Sequence, residues 1–145
     1  MDPIHRNGVE GQTDSEHIFR YLMSLFLRHP EHGLLEIVQR GLSQIIAWVD
    51  AIDPDARPGL NIVLTDGEQM VGSRYNRSLV HLFRDHAFEC PICKKPHVHD
   101  EPKRSYRAVE FASEPVTQFD VWDEIPNKKV YRVNEDFSLD LRDLP

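Results

Sequence analysis

In 145 residues, 24 aspartates and glutamates outnumber 17 lysines and arginines for a net charge of -7, which argues against a dedicated nucleic-acid binder and confines any basic surface to a local patch. Hydrophobic residues at 40% and charged residues at 28% describe an ordinary soluble domain, and a chain of this length buries about 70% of its unfolded surface, so one domain over 1-145 is expected. The longest apolar stretch, Leu34 to Val49, is broken by Glu36, Gln39 and Arg40, so no membrane span is expected.

Ile18, Phe19, Leu22, Leu25 and Phe26 recur at three- and four-residue spacing, which predicts an amphipathic helix from Asp14 to Arg28. Thr13-Asp14-Ser15-Glu16 has the capping-box form, in which the Thr hydroxyl and the Glu carboxylate satisfy free backbone N–H groups reciprocally. Pro30 ends this element. A second helix is expected from Glu31 to Ile52, with Leu34, Leu35, Val38, Leu42, Ile45, Ile46 and Val49 as its buried stripe; Pro54 and Pro58 close it.

The register then changes to strands. Leu60 to Asp66 is short, apolar and β-branched, Asp66-Gly67 is a hairpin signal, and Gln69 to Tyr75 returns as the paired strand. Further strands are expected at Leu79 to Phe83, Tyr106 to Ala112 and Lys129 to Val133. The segment 86-105, rich in Pro, Lys, His and Cys and without periodicity, reads as a loop or small insertion. Two helices followed by a mainly antiparallel run of strands is an α+β pattern, with the helices laid on one face of a sheet.

Several local signatures occur in order: Gly11-Gln12-Thr13-Asp14-Ser15-Glu16, then Leu60-Asn61-Ile62-Val63-Leu64-Thr65-Asp66-Gly67 with Ser73-Arg74-Tyr75, then Arg107-Ala108-Val109 leading into Ala112-Ser113-Glu114-Pro115. Together they resemble class II glutamine amidotransferases, most closely the stand-alone bacterial branch. In that branch a Thr-Asp-Ser-Glu helix start, a "TDG...SRY" hairpin and an "ASEP" strand end follow one another. Trp122-Asp123-Glu124-Ile125-Pro126-Asn127 is similar to the segment after "ASEP", so the resemblance spans nearly the whole chain.

The resemblance implies an N-terminal-nucleophile hydrolase fold, a four-layer αββα sandwich that hydrolyses the side-chain amide of glutamine and passes on the ammonia. In that chemistry an N-terminal cysteine thiolate attacks the amide carbonyl, its own α-amine serves as base, and an Asn-Gly pair stabilises the oxyanion. Here residue 2 is Asp2, and the arginine and His-Asn-Gly motifs that precede Thr-Asp-Ser-Glu in the family have no room. Asn7-Gly8 follows Arg6 and lies much closer to Asp14 than the family's pair does. One substrate-contacting position carries over. Asp14 matches the carboxylate that binds the α-ammonium of glutamine in the family, and a carboxylate at a helix start is well suited to that, held by backbone N–H groups while its outer oxygen meets a cation. Taken without the resemblance, Asp14 is a favoured first-turn residue of any helix.

Cys90-Pro91-Ile92-Cys93-Lys94-Lys95-Pro96-His97-Val98-His99 places two thiols and two imidazoles in one decapeptide, with His86 just upstream. Thiolate and imidazole are the preferred ligands of zinc, so Cys90 and Cys93 with His97 and His99 form a candidate structural zinc site that would pin a long loop. An inert cysteine pair in a surface loop fits the same residues. A redox dithiol fits less well, because the strand-to-helix context of such motifs is missing. With no apolar secretory run at the start and no cysteines beyond this pair, a reducing cytoplasm is the natural compartment. Lys94, Lys95, Lys103, Arg104 and Arg107 make the insertion basic, either as a solvated loop or as a contact for an anionic partner or the acidic surface of a companion subunit.

The chain therefore reads as the C-terminal part of a glutamine amidotransferase domain, with glutamine as substrate and no catalytic nucleophile of its own. Its strands would leave an apolar inward face bare at Ile62, Leu64, Val109 and Phe111, to be covered by the N-terminal half of the domain or by self-association. The reading of a different class is a non-catalytic interaction module whose metal-pinned loop binds a partner. Elemental analysis of the chain and of a Cys90→Ser/Cys93→Ser variant tests the metal: the substitution is expected to remove one equivalent of zinc, and an unchanged content leaves the inert loop.

Overall fold

The computed structural model describes residues 8–85, 94, 107–118 and 120–145. His86, Cys90, Cys93, His97 and His99 lie outside the described residues, and so does nearly all of the basic insertion. Helix α1 runs Asp14–Arg28, as the spacing predicts. Thr13 is extended, and its hydroxyl accepts the Glu16 N–H at 3.4 Å. The capping box is not reciprocal, however, because the Glu16 carboxylate reaches back beyond Thr13 to the N–H groups of Glu10 and Gly11. At the other end the His29 N–H closes α1 on the Leu25 carbonyl at 2.9 Å.

Helix α2 spans Leu34–Ile52 with Gly33 as its extended N-cap, three residues later than the sequence suggests. The residues between are a turn, closed by the His32 N–H on the His29 carbonyl at 3.0 Å, so Glu31 and His32 belong to the connection. The helices meet at Gly41, where an added Cβ would lie 2.3 Å from Leu22 Cδ2 and 3.1 Å from Leu25 Cδ1. Tyr21 and Leu22 are the buried apolar residues of α1, whereas Phe19, expected in the stripe, is 43% exposed.

The strands are β1 Ile62–Thr65, β2 Met70–Arg74, β3 Val80–Arg84, β4 Ala108–Ala112, β5 Asp123–Glu124, β6 Lys129–Val133 and β7 Leu139–Asp143. They form two sheets, β1-β2-β6-β7 and β4-β3-β5, and every pairing is antiparallel. The fold is α+β, with two helices packed on antiparallel sheets as expected, and the strands that the sequence presents as one run divide between two β layers. The β1–β2 connection is longer than an Asp-Gly turn: Thr65 pairs with Met70. Asp66 Oδ1 accepts the N–H groups of Glu68 and Gln69 at 3.0 and 2.7 Å, and Gly67 takes a φ of +95°, a conformation that disfavours side chains.

Pairing register sorts the first sheet into two faces. Ile62, Leu64, Val71 and Val130 turn to the helices, where Leu35, Val38, Leu42 and Ile46 of α2 join them in the main core with Leu60, Tyr75 and Leu144. Ile62 and Leu64 therefore do not belong to a bare inward face, because a strand's alternate side chains are committed as soon as one face meets a helix. The opposite face carries the row Val63, Gly72, Tyr131 and Leu141. Tyr131 is fully buried there, and its ring stacks on Phe111 of the second sheet with centroids 4.8 Å apart at 19°. Leu79 and Ile125 complete this second core. Helices, first sheet and second sheet thus make successive layers. Phe111, expected to be bare, is covered, while the row's ends, Val63 and Leu141, remain 51% and 39% exposed.

Gly72 permits this stacking. A Cβ there would fall 2.4 Å from both Cζ and Oη of Tyr131 and 2.5 Å from the Ile62 carbonyl oxygen. The Tyr131 hydroxyl finds no hydrogen-bond partner, and burial holds its pKa well above the ordinary phenol range. Urea unfolding is expected to place Gly72→Ala roughly 1–3 kcal/mol below the parent through overpacking. Tyr131→Phe, which deletes only the unpaired hydroxyl, is expected to be at least as stable as the parent; the opposite ranking would mean that the hydroxyl is bonded in solution.

Candidate functional site

Asp14 occupies the first turn of α1 and is exposed. One carboxylate oxygen, Oδ1, accepts the Ser15 N–H at 2.8 Å, which leaves Oδ2 without a hydrogen bond among the described residues. Beside it lies a cavity of about 310 Å³ walled by Asp14, Ser15, Ile18 and Phe19 on the helix and by Gly59 to Leu64 on the β1 side. A smaller, mainly apolar cavity of about 200 Å³ continues along the same groove and shares Phe19, Leu22 and Leu64. Phe19 is exposed because it looks into this groove. Strand β1 is the edge of its sheet, so α1 and β1 flank an open trough with one carboxylate at its end. A larger cavity of about 490 Å³ lies at the β1–β2 turn, walled by Glu68, Arg132 and Glu135 among others, and Asp14 takes no part in it.

The remaining signature residues hold one another. Asn61 accepts the Tyr75 N–H through Oδ1 at 2.9 Å and donates Nδ2 to the Ser78 carbonyl at 2.8 Å. The Ser73 hydroxyl donates to the Leu60 carbonyl at 2.6 Å. Arg74 leaves the first sheet for the second, pairing with Glu124 at 2.6 Å and donating to the Ile125 carbonyl. The Asn76 N–H reaches Asn127 Oδ1 at 2.8 Å. Arg74 and Tyr75, to which sequence reasoning assigned no chemical role, are therefore structural links. Glu114 is exposed after β4.

Sequence reasoning passed over Arg84. Its side chain is 2% exposed and bonds Glu110 at 2.7 Å and Asp120 at 3.0 Å. Those two carboxylates, Glu110 first, hold its pKa above the usual guanidinium value against the opposing effect of burial. Thr117 donates to Asp120 at 2.5 Å and accepts from Trp122 Nε1 at 3.0 Å, so the network ties the segment after β4 to the outer face of the second sheet. Arg107, counted among the basic residues, lies over the Phe137 ring at 4.5 Å from its centroid; its charge is occupied locally. Among the described residues, one group of side chains has the make-up to hold a metal ion: His29, Glu31 and His32. Within the described residues no helix is long and apolar enough to cross a membrane.

No protein-family model matches the chain, and no curated protein matches it in sequence. Among solved structures it is similar to a glutamine aminotransferase class-II domain protein from Silicibacter pomeroyi, with a TM-score of 0.63 at 18% identity. The likeness takes in 99% of this chain and 56% of that one. At this identity it shows the fold: the described helices and sheets are arranged as in part of a class II domain, and the chain spans little more than half of that neighbour's length.

The helix start bearing Asp14 is anchored by Glu16, whose oxygens accept from Glu10 N–H at 2.9 Å and Gly11 N–H at 2.7 Å. Those bonds hold its carboxyl below the usual glutamate value. Since the folded pKa lies under the unfolded one, the anchor is present above the ordinary glutamate value and is lost as pH falls through the lowered folded value. An NMR titration of the Gly11 amide is expected to inflect below the ordinary glutamate range, and Glu16→Gln should abolish the inflection. An inflection at the ordinary value would mean that the carboxylate is free in solution.

Proposed function

We propose that these residues are the C-terminal part of a class II glutamine amidotransferase domain, in which Asp14 receives the α-ammonium of glutamine and the nucleophile comes from an N-terminal half that they do not include. The observation that carries the reading is the match of 99% of the chain to 56% of a class-II domain chain, taken with the ordered motifs from Thr13 to Asn127. The free oxygen of Asp14 at the end of the α1–β1 trough supports the substrate role, because an exposed carboxylate fixed on one side by a backbone N–H is ready for an ammonium on the other. The open edge of β1 and the exposed Phe19 and Val63 support completion by further strands or by a second copy of the chain. In the same reading a structural zinc on Cys90, Cys93, His97 and His99 pins the 86-105 insertion.

The reaction itself needs a nucleophile, a base and oxyanion donors, so the isolated chain is expected not to hydrolyse glutamine. Coding sequence in frame upstream of Met1, or on a neighbouring gene, should supply an initiating Met-Cys and a His-Asn-Gly. With that half restored and glutaminase activity measured, Asp14→Asn is expected to raise the glutamine requirement about 10- to 150-fold, the equivalent of a charged hydrogen bond worth roughly 1.5–3 kcal/mol. An unchanged requirement removes Asp14 from the site. Light scattering of the isolated chain at micromolar concentration should report association; a clean 16.9 kDa species that unfolds cooperatively would show that it closes its own core and needs no other half.

A further inference from the structure

The connection between the helices reads His29-Pro30-Glu31-His32, and it brings three metal-type ligand atoms together without help from any other element. His29 Nδ1 lies 3.2 Å from Glu31 Oε1, and His32 Nε2 lies 3.4 Å from the same oxygen. One ligand atom from each residue lies within 4.8 Å of the other two. Around a zinc ion with bonds of about 2.0–2.1 Å, tetrahedral ligand atoms are separated by about 3.3–3.5 Å. Two of the three separations in the turn are already near that spacing.

His32 gives the stronger indication. Its other nitrogen, Nδ1, lies 3.1 Å from Glu36 Oε2, and Arg40 holds the second oxygen of Glu36 at 2.8 Å. A neutral imidazole has a single N–H, so it cannot donate to Glu36 and Glu31 at once. With Nδ1 turned to Glu36, the lone pair on Nε2 is available to a cation that Glu31 and His29 also reach. A carboxylate bonded to the outer nitrogen of a ligating histidine is the usual way in which the tautomer of such a ligand is fixed. The His32 side chain is 20% exposed and the Glu31 side chain 60%, so the cluster is steadied on its inner side and open on its outer side.

We propose that His29, Glu31 and His32 form a binding site for a late first-row divalent cation of the zinc class, with Glu36 positioning His32 and the remaining coordination position open to solvent. Two imidazoles and one carboxylate favour such a metal over calcium or magnesium, which take oxygen ligands. The site is separate from Asp14: the two stand at opposite ends of α1, about 20 Å apart at 1.5 Å of rise per residue. Metal bound here clips the α1–α2 turn, and its presence is independent of whether the chain takes part in glutamine hydrolysis.

The experiment uses the full chain carrying Cys90→Ser/Cys93→Ser, so that the cysteine cluster contributes nothing, stripped with a chelator and titrated with Zn²⁺ by calorimetry. One equivalent is expected to bind. His29→Ala or His32→Ala in that background should weaken binding at least tenfold, and Glu36→Gln should weaken it about 10- to 100-fold. Should the double serine background fail to fold, Cu²⁺ electron paramagnetic resonance on the chain carrying His97→Ala/His99→Ala with its thiols alkylated is expected to show coupling to two imidazole nitrogens, reduced to one by His29→Ala. Absence of zinc uptake in a folded background, identical uptake in a His29→Ala/His32→Ala variant, or a His32 ring that stays doubly protonated with zinc present would overturn the proposal in favour of a plain imidazolium bridge between Glu31 and Glu36.

Discussion

Everything on the far side of the first sheet depends on how closely the Tyr131 ring can approach the backbone of β2. That approach exists because residue 72 has no side chain, and it buries an aromatic ring at the centre of the sheet where Phe111 can stack on it. An aromatic pair contributes about 0.5–1.5 kcal/mol beyond the area it buries, and here it also fixes which strand of the second sheet lies over which strand of the first. The cost is a phenol hydroxyl without a partner. Burial of an unpaired hydroxyl opposes folding by roughly 1–3 kcal/mol, comparable to the gain from the stacking, so the contact is worth more for registering the layers than for stability.

Around that plug, the motifs that made the sequence recognisable act mainly as fasteners. Asn61 and Ser73 close the base of the first hairpin, Arg74 joins β2 to β5, and the Asn127 side chain takes the Asn76 N–H. Each is a polar side chain spent on a backbone group or on an opposite charge between segments far apart in sequence. Such bonds demand a residue type at a position, whereas core positions accept any apolar side chain of suitable volume.

The same distinction decides what could be read in advance. Helix α1 and strand β6 were legible to the residue, because Thr13 and Pro30 punctuate one and Val130, Tyr131 and Val133 give the other its strand-forming residues. The start of α2 was not, since nothing in Glu31 and His32 breaks a helix as proline does, and the turn they occupy is set by Gly33 and by a bond between His29 and His32. Strand β5 is two charged residues, Asp123 and Glu124, and exists only because β3 offers a free side. In β7 the alternation of Leu139 and Leu141 was present but diluted by acids. Which strand joins which sheet was beyond reach, because period-two patterning assigns faces and does not assign partners. Of the candidate site, Asp14 could be named from the motif, while its trough, built by Phe19 and Leu64 from elements some forty residues apart, could not.

Under the proposed function the chemistry divides unevenly between the two halves of the domain. A single carboxylate meeting an ammonium supplies roughly 1.5–3 kcal/mol, enough to select an α-amino acid, and it acts on ground state and transition state alike. Rate enhancements of enzymes require about 8–23 kcal/mol of preferential transition-state stabilisation, which must come from groups at the reacting amide. In that reading Asp14 would hold the end of the substrate far from that amide, so its contribution would be orientation: it would convert binding energy into placement of the side chain. That role needs a rigid carboxylate more than a reactive one. The α1 start provides it, through the Ser15 N–H on Oδ1 and through the Glu16 anchor that fixes the segment leading into the helix.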